Sequence, residues 1–358
     1  MKPISITGLR ARAVLAPLAT PITTAHATIP EAPLALVDLE TDQGIVGRSY
    51  LFTYTPLVLK PLCELLNNLA EGLKGKSVDP VARFADMEGL FRLLGRQGLT
   101  GMAMAGVDMA LWDAHARAHD QSVAAMLGAG HDPVPCYESF GVFDAVRDRD
   151  AIESAKARGF EALKIKVGGT RQADREALRD LRYIIGDDMG LMIDYNQSLT
   201  VPEAILRIND LGPRFDLTWV EEPVGAENLS GHRAVRTKVN TPIQTGENWW
   251  LPDDAARAIE AQASDHAMLD IMKIGGVTGW MRASAMAQAA SLPVSSHLFI
   301  EATAHVMAAT PNRYLLEHLD LASSILRKPY EVTDGTITPM GPGLGIEWDE
   351  RKVAQYSV

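Results

Sequence analysis

Three carboxylates close short apolar runs at nearly regular spacing in the second half of the chain. They are Asp194, Glu221 and Glu247. If the runs are neighbouring parallel strands, the three acids meet at one edge of the sheet, where their repulsion forces a proton onto one of them or recruits a cation. Oxygen ligands without Cys or His suit Mg2+, or Mn2+, better than Zn2+. Any one acid could equally pair with a lysine or cap a helix, but three in consecutive units favour a metal site.

Two candidate bases lie in other runs of the same series. Lys164 and Lys166 stand two residues apart in a strand, so their side chains share a face. Two close ammonium groups and burial both disfavour the charged form, so we expect one lysine to be neutral and to act as a base. His297 ends another run, and Asp270, which ends the run before it, can orient the imidazole and raise its basicity. An exposed Lys-Ile-Lys strand at the rim is the alternative for the lysines.

Glu317 ends the last run, after Tyr314-Leu-Leu. A carboxylic acid that stays protonated in an apolar site next to a cation can donate a hydrogen bond to developing negative charge. Glu317 could equally cap a helix or form a salt bridge. The residues alone leave these readings open.

The elements that must position these groups are predicted by a regular cadence. Eight apolar runs extend from Val134–Ser139 to Tyr314–Glu317, and from Lys166 onward they recur about every 20 to 28 residues. That spacing fits one strand, one helix and two loops. Alternating strands and helices predict a parallel sheet, and eight units close an α/β barrel whose active site lies at the C-terminal strand ends.

The residues before the barrel predict a separate α+β domain. Two strand-like runs flank the turn Thr41–Gly44 as a hairpin, and helical periodicity follows over about 56–73, 81–94 and 101–119. We expect the polar stretch between Leu18 and Pro33, which contains His26, to be a mobile loop able to close over a ligand. The predicted domains are a capping domain at 1–128, a barrel at 129–320, and a segment at 321–358 that returns to the capping domain.

Composition narrows the class of protein. The chain has 358 residues, 47% of them hydrophobic, and a net charge of -11, which argues against nucleic-acid binding. No apolar stretch approaches the roughly 20 residues needed to cross a membrane. The opening residues lack the apolar core of a secretion signal, and Cys63 and Cys136 are the only thiols. We therefore expect a cytoplasmic protein with reduced cysteines.

The segments that carry these groups resemble the mandelate racemase branch of the enolase superfamily, the mandelate racemase/muconate lactonizing enzyme family. The matching segments are Ala105–Asp113, Lys164–Lys166, Asp194–Asn196, Glu221–Pro223, Gly246–Asn248, Asp270–Trp280, Ser295–His297 and Glu317. Together they are specific for the superfamily. The Lys-x-Lys pair combined with an Asp/His dyad is shared by racemases and some acid-sugar dehydratases.

The resemblance implies a (β/α)7β modified TIM barrel with an α+β N-terminal capping domain, and one Mg2+ on the carboxylate trio. Lys164 and the metal would bind a substrate carboxylate. Lys166 would remove the α-proton from one face to give an enediolate, and His297, oriented by Asp270, would serve the other face. Homo-oligomers are common in the family, and an octamer is among the assemblies that the resemblance allows.

The resemblance also assigns the contacts around the substrate. Glu317 would donate a hydrogen bond to the carboxylate, and Asn196 would hold the α-hydroxyl. The substrate-binding positions are Ser139, Ile22, His26, Ile29, Phe52, Tyr54, Leu298 and Leu319. Most are apolar, which suits a 2-hydroxy acid with an apolar or aromatic substituent such as mandelate, whereas His26 departs from the family's apolar pattern. An acid-sugar dehydratase on the same scaffold is the alternative, and a barrel without catalysis is the third hypothesis.

Overall fold

This computed structural model describes residues 4–23, 28–130 and 132–358. An antiparallel sheet opens the chain, with strands β1 (Ile6–Thr23), β2 (Thr28–Thr41) and β3 (Val46–Phe52) in that order. The predicted mobile loop is wrong for most of its length, because the ends of β1 and β2 occupy it and pair again at Ile22–Ile29 and Thr23–Thr28 after a register shift at Pro17. Thr and Ile are frequent here, and such β-branched residues favour strands even in a polar stretch. His26 lies outside the described residues.

Four helices follow the sheet, and the first and third of them pack against it. They are α1 (Leu59–Leu73), α2 (Pro80–Leu90), α3 (Leu99–Ala118) and the short α4 (Val123–Met126). The carboxylate of Asp79 accepts the Ala82 amide hydrogen and caps α2. Helix α3 lies almost directly on β3, because a Cβ at Gly47 would be only 2.0 Å from the carbonyl oxygen of Ala110. The glycine therefore sets how closely the sheet and the helix approach.

Eight parallel strands follow, alternating with helices. The strands are β4 (Val134–Val142), β5 (Ala162–Lys166), β6 (Gly190–Asp194), β7 (Leu217–Glu221), β8 (Ile243–Thr245), β9 (His266–Asp270), β10 (Val294–His297) and β11 (Leu316–His318). The helices are α5 (Arg149–Ala157), α6 (Arg171–Ile185), α7 (Val201–Phe215), α8 (Leu229–Arg236), α9 (Leu251–Glu260), α10 (Gly276–Ala289) and α11 (Ile300–Ala308). The order β10-β9-β8-β7-β6-β5-β4-β11 confirms the predicted capped barrel. Backbone hydrogen bonds from Tyr314 to Val294 and from Ser296 to Leu315 join β11 to β10.

Strand register places the predicted site residues at one level. Lys166 pairs with Asp194 across β5 and β6, and Asp194 pairs with Glu221 across β6 and β7. On the far side of the barrel, His297 of β10 pairs with Asp270 of β9. Because parallel strands point their C-terminal ends the same way, all these side chains meet at one mouth.

The last segment of the chain contacts both parts of the fold. Strand β12 (Thr336–Ile337) pairs antiparallel with β4, and helix α12 (Glu350–Tyr356) follows. The Trp348 indole donates to Asp38 of β2 at 2.9 Å, and Arg12 of β1 pairs with Glu350 at 2.6 Å. The tail therefore lies against the N-terminal sheet, while the domain boundaries themselves stay a prediction. Within the described ranges, no helix is long and apolar enough to cross a membrane.

Candidate active site

The carboxylate trio lies at the mouth of the barrel, where three successive strands end. One oxygen from each of Asp194, Glu221 and Glu247 lies within 4.8 Å of the others, and all three residues are buried. Gly246, the residue before Glu247, has a φ of 136° and passes close to β9. A Cβ on Gly246 would lie 2.6 Å from the Met268 carbonyl oxygen, so only glycine fits this approach to the strand end. Buried, converging carboxylate oxygens are the donor set that Mg2+ prefers, so the trio fits the predicted metal.

Each acid of the trio has its own cationic partner. Lys164 Nζ lies 2.8 Å from Glu221 Oε1, and Lys166 Nζ lies 2.7 Å from Asp194 Oδ2. On the other side, His297 Nε2 lies 3.3 Å from Glu247 Oε2. The three candidate basic groups therefore contact the three candidate metal ligands one to one.

The neighbouring carboxylates favour the charged form of both lysines. Burial lowers their pKa, but the facing carboxylates raise it more, so the pKa of Lys166 is raised through Asp194. The pKa of Lys164 is raised well above its ordinary value through Glu221 and Glu317. These directions run against the expected neutral lysine, whose charge state with the metal bound stays a prediction.

The pKa values of the acids in the trio shift in opposite directions. Burial raises the pKa of Glu221 to about 8, although Lys164 acts against it. Burial also raises the pKa of Glu247, but His297 and Lys273 lower it further, to about 2. Burial, together with repulsion from the neighbouring acids, therefore favours a proton on Glu221 rather than on Glu247.

His297 and Asp270 form the predicted dyad. His297 Nδ1 lies 2.6 Å from Asp270 Oδ2, and Asp270 Oδ1 accepts the amide hydrogens of Met272 and Lys273. These bonds hold the carboxylate, which in turn fixes the imidazole and leaves Nε2 toward the mouth. Burial lowers the pKa of His297, but Glu247 and Asp270 raise it to about 9.

Glu317 lies beside Lys164, with its Oε1 2.8 Å from the lysine Nζ. Burial raises the pKa of Glu317, but Lys164, His297 and the Ser139 hydroxyl lower it to about 2. The salt bridge, one of the alternatives that the residues left open, favours the carboxylate form of Glu317, and its role as a donor stays a prediction. Its Oε2 also accepts the Leu298 amide hydrogen at 3.1 Å.

Asn196 joins the metal side of the site to Lys166. Its Oδ1 accepts from Lys166 Nζ at 2.8 Å, and its Nδ2 donates to Asp194 Oδ2 at 2.7 Å. Its φ is 42°, in the left-handed region that Asn tolerates better than most residues. This turn after β6 brings the amide back over the strand end.

Predicted pocket residues come from both parts of the fold. Phe52 and Tyr54, at the end of β3 and just beyond it, have ring centroids 4.7 Å apart, and Leu298 is buried next to Glu317. Leu319 follows β11 and is half-buried. Ile29 is half-buried on β2; the side chain of Ile22 and the whole of His26 lie outside what is described. Their substrate contacts stay predictions.

Sequence reasoning missed a third lysine at the mouth. Lys273 follows β9, is buried, and donates from Nζ to Asn248 Oδ1 at 2.6 Å. Asn248 in turn donates to Glu222, another buried acid. Lys273 stands three residues beyond Asp270 in a matched segment, so its place after a strand end was the available signal.

Comparison with known proteins agrees with this geometry. Residues 6–128 match the model of the mandelate racemase / muconate lactonizing enzyme N-terminal domain, and residues 147–352 match the enolase C-terminal domain-like model. Together these cover most of the chain. The chain therefore belongs to the mandelate racemase/muconate lactonizing enzyme family of the enolase superfamily.

Similar proteins differ in the compounds they are associated with. A crystal structure of an enolase from Bradyrhizobium, complexed with magnesium and mandelic acid, is 48% identical, has a TM-score of 0.98, and matches 100% of this chain and 99% of that one. L-Talarate dehydratase from Polaromonas sp. JS666, with Mg and L-glucarate, is 27% identical with a TM-score of 0.89, over 99% of this chain and 98% of that chain. D-Galactarolactone cycloisomerase from Agrobacterium fabrum is 30% identical over 99% of each chain.

Proposed function

We propose that the protein is a racemase that moves the α-proton of a 2-hydroxy acid with an apolar or aromatic substituent, most simply mandelate. The observation that carries this proposal is the placement of two basic groups at opposite ends of the trio. Lys166 contacts Asp194 on one side, and His297 contacts Glu247 on the other. A reaction that inverts a carbon needs a proton donor on one face and an acceptor on the other.

The chain's own residues divide the work. Lys164 binds the substrate carboxylate, Asn196 holds the α-hydroxyl, and Ser139 lies near the carboxylate through its interaction with Glu317. Asp194, Glu221 and Glu247 would hold Mg2+, which would supply positive charge to the substrate carboxylate and offset the acids that face the bases. Lys166 takes the proton from one enantiomer while the His297 imidazolium returns one to the opposite face; the other enantiomer reverses these roles.

Glu317 completes the carboxylate site. As a carboxylate it pairs with Lys164. When the anionic substrate comes to lie beside it, repulsion between the two carboxylates favours protonation of one of them. Glu317 then donates the hydrogen bond that strengthens as the enediolate gains charge.

The aromatic and aliphatic wall supports an apolar substituent. Phe52, Tyr54, Leu298 and Leu319 offer few partners for hydroxyl groups, and each hydroxyl left without one costs about 1–3 kcal/mol. The 48%-identical relative with bound mandelic acid supports the same choice.

The direct test follows the optical rotation of (R)- and (S)-mandelate with the purified protein. With Mg2+ both enantiomers should lose rotation, and EDTA should stop the reaction until Mg2+ is restored. Stable rotation of both enantiomers with Mg2+ present would overturn mandelate as the substrate.

A second candidate is an acid-sugar dehydratase, favoured by the relatives associated with L-talarate and L-glucarate. A panel of aldonic and aldaric acids, assayed for 2-keto products, decides between them. Faster formation of a keto acid than racemisation of mandelate would reverse the ranking. We also propose a homo-oligomer, octameric or smaller, which light scattering of the purified protein would measure directly.

A further inference from the structure

Lys273 is a buried cation with an unusual set of partners. Its relative exposure is 6%. Among the residues that the structure describes, no acid lies within salt-bridge distance of its Nζ; the recorded contacts are Asn248 Oδ1 at 2.6 Å and the Tyr54 ring, whose centroid is 5.0 Å away. Burying an ammonium without a paired carboxylate is unfavourable, so its position calls for a compensating role.

The contact with Asn248 has a fixed direction. An ammonium group only donates hydrogen bonds, so Asn248 must turn its oxygen to Lys273 and its NH2 group the other way. That NH2 group lies 2.9 Å from both oxygens of Glu222 and 3.1 Å from Oε1 of Glu247. The chain of contacts therefore runs from the ammonium through one amide to a ligand of the candidate metal site.

At its other end, Lys273 reaches the capping domain. The Tyr54 ring lies over the ammonium and also packs against Phe52 at 4.7 Å between centroids. A cation over an aromatic face is attracted to it, more strongly when both are shielded from water. One side chain thus contacts both the aromatic wall and the neighbour of a metal ligand.

We propose that Lys273 is a positioning residue that holds Glu247 for metal binding through Asn248, and holds the aromatic wall through Tyr54. The two parts of the site then depend on one another: loss of the ammonium loosens the metal ligand and the wall together. The part of the proposal about metal binding requires only that the trio binds Mg2+. The part about the aromatic wall, Phe52 and Tyr54, rests on the proposed function.

The backbone at Lys273 allows a clean substitution. Its amide hydrogen bonds to Asp270 Oδ1 at 2.9 Å, and its carbonyl oxygen accepts from Leu251 at 3.0 Å. Neither contact needs the side chain. Lys273→Met keeps the length and removes only the charge and the donors.

The experiment measures Mg2+ binding by titration calorimetry without substrate. Lys273→Met and Asn248→Ala should each weaken Mg2+ binding about 10- to 100-fold, the usual effect of losing a group that orients a metal ligand. Both substitutions interrupt the same series of contacts from Lys273 through Asn248 to Glu247. The double variant should therefore bind Mg2+ no more weakly than whichever single variant has the lower Mg2+ affinity. Lys273→Arg, which keeps the charge, should recover much of the affinity.

Lys76→Met is the matched control, since Lys76 pairs with Asp86 on the exposed face of the capping domain. It should bind Mg2+ like the wild type. Circular dichroism and the melting temperature of each variant report whether the fold is kept. Wild-type Mg2+ affinity in folded Lys273→Met, or additive losses in the double variant, would overturn the proposal.

Enzyme kinetics test separately whether Lys273 holds the aromatic wall through Tyr54. With whichever acid the wild type turns over, Lys273→Met at saturating Mg2+ should still raise KM several-fold, because Tyr54 is no longer held; an unchanged KM would overturn this part of the proposal. If the wild type does not act on mandelate but Lys273→Met loses Mg2+ affinity, the proposed substrate fails and the positioning role stands.

Discussion

Lys166 Nζ lies 2.7 Å from Oδ2 of Asp194, and the two residues are also register partners across β5 and β6. A candidate base and a candidate metal ligand are therefore fixed to each other by the sheet itself. Any change in the charge around Asp194 must alter the proton affinity of Lys166. Base strength and metal binding are physically coupled on this side of the site.

The two candidate bases should be separable by isotope exchange. His297→Asn should abolish racemisation of mandelate while one enantiomer still exchanges its α-proton in D2O, because Lys166 remains. Lys166→Met should leave exchange only in the other enantiomer. Proton NMR of each enantiomer measures this directly. His119→Asn, an exposed histidine on the capping domain, is the control. Exchange of both enantiomers by the His297 variant would remove His297 as a base.

Leu319 should affect the substituent rather than the chemistry. Leu319→Ala shortens a half-buried side chain of the proposed wall. Losing such contacts should lower kcat/KM for mandelate by about 10- to 200-fold, mainly through KM. Steady-state kinetics with mandelate measures the effect, and exposed Leu206 of α7, changed to Ala, provides the control. Equal kinetics in both variants would place Leu319 outside the pocket.

Asp113 should be essential to stability. Its buried carboxylate accepts amide hydrogens from Arg48 and Leu344 and pairs with Arg117 Nε at 2.6 Å. Asp113→Ala leaves these donors without their acceptor and should lower the free energy of unfolding by about 3–5 kcal/mol. Urea denaturation measures the loss. Asp188→Ala, at an exposed position, should change it by less than about 0.5 kcal/mol.

Asp108 should give stability a dependence on pH. Burial raises its pKa from 3.8 to about 7, against the Thr278 hydrogen bonds. Between these values the folded state holds a proton that the unfolded state has lost, so the contribution of Asp108 falls as pH rises, by up to about 1.4 kcal/mol per pH unit. Asp108→Asn should remove this slope. Urea denaturation from pH 4 to pH 8 compares the two proteins, and parallel curves would contradict the shift.

The strand ends could be predicted because strands of a parallel barrel read as continuous apolar runs, which makes each terminal Asp, Glu or His conspicuous. The charge states of the lysines and acids could not be predicted in this way. The sequence puts Lys164 and Lys166 on one face, but only distances show that each ammonium has a carboxylate within 3 Å. Lys164 does lower the pKa of Lys166, but the neighbouring carboxylates outweigh it.

Two other differences have simple physical reasons. A Thr-rich polar stretch fits an exposed hairpin as well as a loop, so the long pairing of β1 with β2 gave no separate signal. Helix α2 ends at Leu90, before the predicted residue 94, and Leu93 and Leu94 beyond it are exposed. Apolar periodicity does not reveal which leucines are left in water.

The contacts of Trp348 with Asp38 and of Glu350 with Arg12 join positions more than 300 residues apart. A ribosome makes Asp38 before Trp348, at about 5–20 residues per second. Tens of seconds therefore separate the carboxylate from the indole that donates to it. The N-terminal sheet reaches its final contacts only after the C-terminal segment has been made, and until then a chaperone can meet this surface uncovered.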